Sequence, residues 1–106
     1  MRREFRPING PVIVNDELEL WGLAVGSCQV GAGGTLVLNG TVTGDLLVED
    51  GGAVELYGLV VGTVRNRGGV IKVMGSVGGD IITERGMTTV ESRAMVVGRV
   101  REERAA

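Results

Sequence analysis

The glycines of this chain of 106 residues fall on a regular grid. Gly22, Gly40, Gly58 and Gly75 form one series and Gly26, Gly44, Gly62 and Gly79 a second; in both, the first two steps are equal and the third is shorter by one. The same phrase returns around them: Leu18-Glu19-Leu20-Trp21-Gly22, Leu36-Val37-Leu38-Asn39-Gly40, Val54-Glu55-Leu56-Tyr57-Gly58 and Ile71-Lys72-Val73-Met74-Gly75. A unit this short cannot bury its apolar side alone, so successive units must stack into one continuous core. The expected fold is all-β, a single-stranded β-solenoid of about five coils of roughly 17 to 19 residues each.

Composition agrees with stacking. Glycine makes up 19 of 106 residues, against a usual share of about 7 %. The apolar fraction of 43 % is nevertheless too high for a disordered glycine-rich linker, which places the glycines at tight corners. No segment shows apolar residues at i, i+3, i+4 and i+7, and glycine interrupts every candidate helix at about 1 kcal/mol each relative to alanine.

Between the short alternating runs, apolar residues recur every sixth position through Val30, Leu36, Val42, Val48, Val54 and Val60. Three such steps close one coil, which makes the cross-section triangular. Successive strand side chains point to opposite sides of a sheet, so alternation assigns five inward columns. They are Leu18, Leu36, Val54, Ile71; then Leu20, Leu38, Leu56, Val73, Val90; then Ala24, Val42, Val60, Val77; then Cys28, Leu46, Val64, Ile81; and last Val12, Val30, Val48. Asn66 falls below Val48 in the last column, where its amide needs partners from the corner backbone. The corner Arg65-Asn66-Arg67-Gly68-Gly69 is one residue short, and the stretch from Thr88 to Ala94 carries a bulge or a wider corner. The resulting division is an N-terminal tail over 1–11, the solenoid over 12–100 and a charged C-terminal tail over 101–106.

The same residues narrow the function. A net charge of −2 and a pI near 5.1, with no basic strip and no aromatic stacking platform, give no footprint for nucleic acid. Cys28 is the single cysteine and stands at an apolar-phase position, which reads as a small core residue. The N-terminus lacks an apolar stretch of signal-peptide length, and no segment reaches roughly 18 apolar residues. A cytoplasmic protein is expected, with membrane association possible but unsupported.

Coils of three hexapeptides are also the architecture of left-handed β-helix acyltransferases and of the related carbonic anhydrase class. Those chemistries use a histidine general base or three zinc-bound imidazoles. This chain has no histidine, which excludes both in their usual form unless a partner chain supplies the imidazole. Asp45, Glu49, Asp50, Asp80 and Glu84 stand at corners, where paired carboxylates could bind calcium or cleave glycosides. Stacking places Glu49-Asp50 beside Arg65 and Arg67, and these beside Glu84-Arg85, which reads instead as a solvated charge ladder. Gly78-Gly79-Asp80 occurs once and lacks the rest of a tandem calcium repeat, and no phosphate-loop phrase precedes a helix. No catalytic, cofactor-binding or metal-binding residue is therefore assigned.

The outward positions are more informative. With Leu20 and Ala24 pointing in, Trp21, Leu23 and Val25 point out, and two coils later Tyr57, Leu59 and Val61 do the same, with Asn39, Thr41 and Thr43 between them. Six apolar residues on one flat face, the only Trp and the only Tyr among them, have the composition of a protein contact. An ice-binding face would need regular Thr-x-Thr ranks, and Thr41-Val42-Thr43 supplies only one.

The phrase apolar-x-apolar-x-Gly-x-Val-x-Gly, present as Leu36 to Gly44 and again as Val54 to Gly62, resembles the bactofilins, polymer-forming bacterial cytoskeletal proteins. The resemblance covers roughly Val12 to Val100. It implies a right-handed triangular β-helix, assembly without nucleotide through terminal coils, and no catalytic residues. The flanks depart from it: Arg2, Arg3, Arg6, Pro7 and Pro11 at one end and Arg99 to Arg104 at the other are devices that block strand addition, which suits a capped, finite member. The expected role is a non-enzymatic structural protein that associates with itself through its ends or the Trp21/Tyr57 face. The alternative is a protein-binding module such as an immunity or adaptor protein, and third comes a hexapeptide acyltransferase relative without its histidine. The columns make a direct prediction: Leu38→Ala and Leu56→Ala should each lower stability by about 2 to 5 kcal/mol. Val37→Ala should do much less in thermal denaturation, and equal shifts would put the inward phase off by one residue.

Overall fold

The computed structural model describes residues 2–103 and contains strands without a helix. The first coil lays down β1 (Arg2–Glu4), β2 (Ile8–Asn9) and β3 (Val12–Val14), and the second β4 (Glu17–Leu20), β5 (Leu23–Val25) and β6 (Cys28–Val30). The third carries β7 (Thr35–Leu38), β8 (Thr41–Val42) and β9 (Leu46–Val48), followed by β10 (Ala53–Leu56) and β11 (Leu59–Val60). Next, β12 (Val64–Val73) runs through a corner from one face onto another, as does β14 (Ile81–Val90), with β13 (Ser76–Val77) between them; β15 (Met95–Val96) and β16 (Val100–Glu102) finish the last coil. All pairings are parallel. One face is the sheet β2-β5-β8-β11-β13-β15, and the other two faces are joined through β12 and β14 into a sheet of ten strands. The chain is a β-solenoid of about six coils.

The registers reproduce four of the five expected columns. Leu18 stacks on Leu36, Val54 and Ile71; Leu20 on Leu38, Leu56, Val73 and Val90; Ala24 on Val42, Val60 and Val77; Cys28 on Leu46, Val64 and Ile81. Except for the terminal Val90, all of these side chains are buried. The core is thus a stack of aliphatic layers filled by Val, Leu and Ile, which suit a narrow interior between pleated strands.

The first coil corrects the expected boundaries. Of residues 1–11, expected as a tail, Met1 lies outside the described residues and the rest contribute strands: β1 pairs with β4 and β2 with β5. Arg2 lies opposite Leu18, Ile8 opposite Ala24 and Val12 opposite Cys28, a constant offset that is shorter than the one between Leu18 and Leu36. A grid set by the later glycines misses this coil, and Arg2 and Glu4 stand where apolar residues would have marked it. The same offset moves Val12 into the Cys28 column, while Val14 takes the place above Val30. At the other end Arg101 and Glu102, expected in a tail, belong to β16 and pair with Ile82 and Thr83. Residues 104–106 of that expected tail lie outside the described residues.

The irregular corners have distinct solutions. At the longer corners the chain closes on itself, the Gly34 N–H donating to the Gly31 carbonyl and the Gly52 N–H to the Glu49 carbonyl, each at 3.0 Å. The corner after Asn66 is one residue shorter, and the Asn66 side chain replaces that turn. Its Oδ1 accepts from the N–H groups of Gly68 at 3.1 Å and Gly69 at 2.8 Å. Its Nδ2 donates to the Gly69 and Met87 carbonyls and to the Thr88 hydroxyl. Asn66 is fully buried and uses its whole amide, as a buried polar group must. The last corner widens. Val90 lies opposite Val73 and Met95 opposite Ser76, so the chain takes a longer path from Val90 to Met95 than from Val73 to Ser76. The excess forms a turn closed by the Ala94 N–H on the Glu91 carbonyl.

Apart from Gly26, which takes a positive φ of 110°, the grid glycines serve close approach rather than special dihedral angles. Gly58 has ordinary φ, yet a Cβ there would overlap the Gly40 carbonyl oxygen and lie 2.8 Å from the Asn39 carbonyl carbon of the coil beneath. Gly58→Val should therefore push neighbouring coils apart and lower stability by at least about 2 kcal/mol. A Gly58→Val protein with the wild-type melting temperature would show that the coils give way there.

Candidate interaction surface

Three outward faces offer themselves, and the one built on the six-stranded sheet is unlike the others. Pairing places Leu23, Thr41, Leu59, Ser76 and Met95 in one outward row across it. The row beside it carries Asn9, Val25, Thr43, Val61, Gly78 and Val97, and the row along its edge Phe5, Trp21, Asn39, Tyr57 and Met74. Although 23 % of the chain is charged, none of these positions holds Asp, Glu, Lys or Arg, and the first charge in the edge row is Glu91, which follows Met74 in the last coil. Apolar ranks alternate with polar ones: Trp21, Leu23, Val25, then Asn39, Thr41, Thr43, then Tyr57, Leu59, Val61, then Met74, Ser76, Gly78, then Met95 and Val97.

All six residues expected on this face are solvent-exposed, from Leu59 at 36 % to Val61 at 49 %. Their sheet carries them together because the side chains between them, Ala24, Val42 and Val60, are committed to the core. The aromatic rings are held in place. Trp21 stacks on Phe5 with ring centroids 6.2 Å apart and planes 14° from parallel, and its Nε1 donates to the Glu19 carboxylate. The Tyr57 hydroxyl donates to Glu55 at 3.4 Å. Fixed, amphipathic rings lose little entropy when covered.

Sequence reasoning missed four apolar members, of which Met74 follows Tyr57 in the edge row. Phe5 falls in the stretch expected as a tail. Met95, 66 % exposed, and Val97, 77 % exposed, lie beyond the widened corner that shifts them off the glycine grid. Alternation within Met95-Val96-Val97 is the signal that places them.

The face formed by β3, β6, β9, the first half of β12, the first half of β14, and β16 is charged and grooved. Its outward row reads Ile13, Gln29, Leu47, Arg65, Ile82, Arg101, and the groove over it has a volume of about 730 Å³. Ile82 is buried although it faces outward, since the stems of Arg65 and Arg101 flank it in the pairing. Here lies the charge ladder expected from the sequence. Arg67 stands 3.5 Å from Glu49 and 3.8 Å from Glu84, Arg65 bonds Glu84 and lies 3.7 Å from Glu103, and Arg101 reaches Asp80 at 3.8 Å. The hydrogen bond from Arg65 holds the Glu84 carboxyl below its ordinary range. These pairs are open to water, where each contributes about 0 to 1 kcal/mol.

The corner carboxylates have structural employment. Asp45 Oδ1 accepts the Thr63 N–H and Asp80 Oδ1 the Arg99 N–H, both at 2.9 Å, so each ties its corner to the next coil. Asp45 and Asp80 stand two coils apart with Thr63 between them. Among the described residues no three His, Cys, Asp or Glu side chains converge on one point where a metal ion could sit, and no helix is long and apolar enough to cross a membrane.

No protein-family model matches the chain, and no curated protein or solved structure matches it.

Cys28 sits in the core column above Leu46, and burial pushes its thiol from 9.0 up to about 12. The thiolate is the reactive form, so the folded protein should resist a disulfide reagent at pH 8 and react fully once unfolded. The unfolded thiol ionises near 9.0 while the folded one keeps its proton to about 12. The folded state thus binds more protons between these values, and stability should fall as pH rises through that window. Fast labelling at pH 8 under native conditions would mean that this column opens readily.

Proposed function

We propose that this is a non-enzymatic structural protein of the cytoplasm whose solenoid rods associate with one another side by side, a bactofilin-like element that assembles without a nucleotide. The observation that carries the reading is the charge-free face. In a chain rich in Asp, Glu and Arg, a six-stranded sheet whose strands carry no charge, flanked by the Trp21 and Tyr57 edge row that meets a charge only at Glu91, is composed like the core of an interface and unlike ordinary surface. Alternating apolar and polar ranks also suit pairing with an identical face, since a two-fold arrangement lays like ranks on like. Regular flat rods of this kind supply shape and repetition, which a scaffold needs.

A second reading, a binding module of the adaptor or immunity type, is favoured by the groove over Ile13, Leu47 and Ile82 with its arginine and carboxylate rim. In that reading the partner is a different protein and the rod remains single.

The first reading expects the mass measured by sedimentation to rise with concentration into the high micromolar range, with Trp21 fluorescence moving to the blue as its ring is covered. Leu59→Lys, which would bury an unpaired charge, should weaken lateral association by about 100-fold or more, the equivalent of roughly 3 kcal/mol. A wild-type protein that stays monomeric at those concentrations would sink the lateral reading.

A further inference from the structure

The face built on the six-stranded sheet has two long borders, and they are unlike. Beyond the Trp21 and Tyr57 row the outward residues are Arg3, Glu19, Val37, Glu55, Lys72 and Thr89, in coil order. Beyond the Val25 and Val61 row come the corner residues that lead into the grooved face: Pro11, Ser27, Asp45, Thr63, Asp80 and Arg99. The face is also graded across its width. Its row at the first border is large, with Phe5, Trp21, Tyr57 and Met74, and its row at the second is small, with Val25, Thr43, Val61 and Gly78.

We infer that two copies meet on this face as a parallel pair, in register coil by coil, about a two-fold axis that runs along the rods. This rests on the lateral reading and gives it an orientation. An axis in that direction keeps every rank at its own level and exchanges the two borders. Leu23, Thr41, Leu59 and Ser76 then meet their own equivalents, while Trp21 lies on Val25 of the second copy and Tyr57 on Val61. Large side chains thus fill the room left by small ones, the complementarity that an interface core needs. At the borders Lys72 faces Asp80 of the second copy, and Glu19 and Glu55 face the hydroxyls of Ser27 and Thr63. Each of these contacts occurs twice by symmetry. From the first coil to the fifth no like charges oppose each other; in the sixth, Glu91 and Arg93 of the widened turn stand opposite Arg99.

An antiparallel meeting brings each border against itself. Centred on Thr41, it sets Glu19 against Glu55, Arg3 against Lys72 and Asp45 against its own equivalent, with Trp21 forced onto Tyr57. Centred on Leu59, it sets Glu55 against itself and Asp45 against Asp80. A centre midway between those two pairs Glu19 with Lys72, but it lays the Tyr57-Leu59-Val61 rank on Asn39-Thr41-Thr43. Like charges set against each other exclude an orientation more sharply than apolar contact selects one.

The test places single cysteines on the full chain, whose own Cys28 is buried and does not compete. In a parallel pair every rank of the central row opposes itself, so Leu23→Cys and Ser76→Cys, three coils apart, should each give a disulfide-linked dimer under a mild oxidant. Gln29→Cys, exposed on the grooved face, should stay unlinked. An antiparallel pair has one self-opposed level and links at most one of the two positions. Charge answers the same question by sign. Lys72→Glu should weaken association about 10-fold in the parallel pair, whereas in the pair centred on Thr41 it would relieve the repulsion from Arg3 and tighten it. The wild-type mass is measured first, and a protein that stays monomeric sinks the lateral reading and this orientation together. A protein that associates but links at only one of the two positions, or tightens with Lys72→Glu, overturns the parallel pair alone. Association with neither link, or with Gln29→Cys linking as fast as Leu23→Cys, puts the contact elsewhere and overturns both.

Discussion

Every part of this rod depends on the backbone ladder between coils. A strand of two to four residues makes no hydrogen bonds within itself, so its N–H and C=O groups are satisfied only by the coil above and the coil below. That requirement fixes the spacing of the coils at the roughly 4.8 Å of paired strands. At such a distance the corners leave no room for a Cβ, which is why Gly40, Gly58 and Gly75 each lie directly over the carbonyl groups of the preceding corner. It also forces like residues onto like, because a constant offset brings each inward side chain above its equivalent.

The same constraint explains the exceptions. When the corner at Asn66 is shortened, the turn hydrogen bond used elsewhere is lost, and a buried amide takes over the orphaned N–H groups of Gly68 and Gly69. The polarity spreads down that column, where Thr83 is buried and bonds Thr88 at 2.8 Å. Each such substitution is tolerated only with its partners complete, and among the described residues no buried side-chain polar atom lacks one. Where the ladder ends, its unmet groups remain, and charge stands at both ends: Arg2 and Glu4 with the two prolines in the first coil, Arg101 and Glu102 in the last.

Function in such a rod belongs to surfaces, since the interior is uniform. The three faces share one backbone and differ only in their outward residues, which are free to vary without disturbing the columns. One face gathers the apolar ranks and excludes charge; another collects the ladder of Arg65, Arg67, Glu84 and Glu49. A flat sheet holds each rank in a fixed place, so contact area comes with little loss of side-chain freedom. The pinned Trp21 and Tyr57 rings fit that economy.

The glycine period and the alternation of Leu, Val and Ile were enough to determine a stacked solenoid, four of its columns and the facing of Trp21, Leu23, Val25, Tyr57, Leu59 and Val61. Those are properties of a repeat, and a repeat is visible in one dimension. The first coil was not, because its offset is shorter than the glycine period and Arg2 and Glu4 replace the apolar marks; nor were Met95 and Val97, displaced by the insertion between Val90 and Met95. Only the tertiary structure decided that Phe5 completes the aromatic edge and that Asn66 spends its amide on a corner. These depend on which residues of different coils meet, and coils of unequal length set those meetings in space before any local pattern can record them.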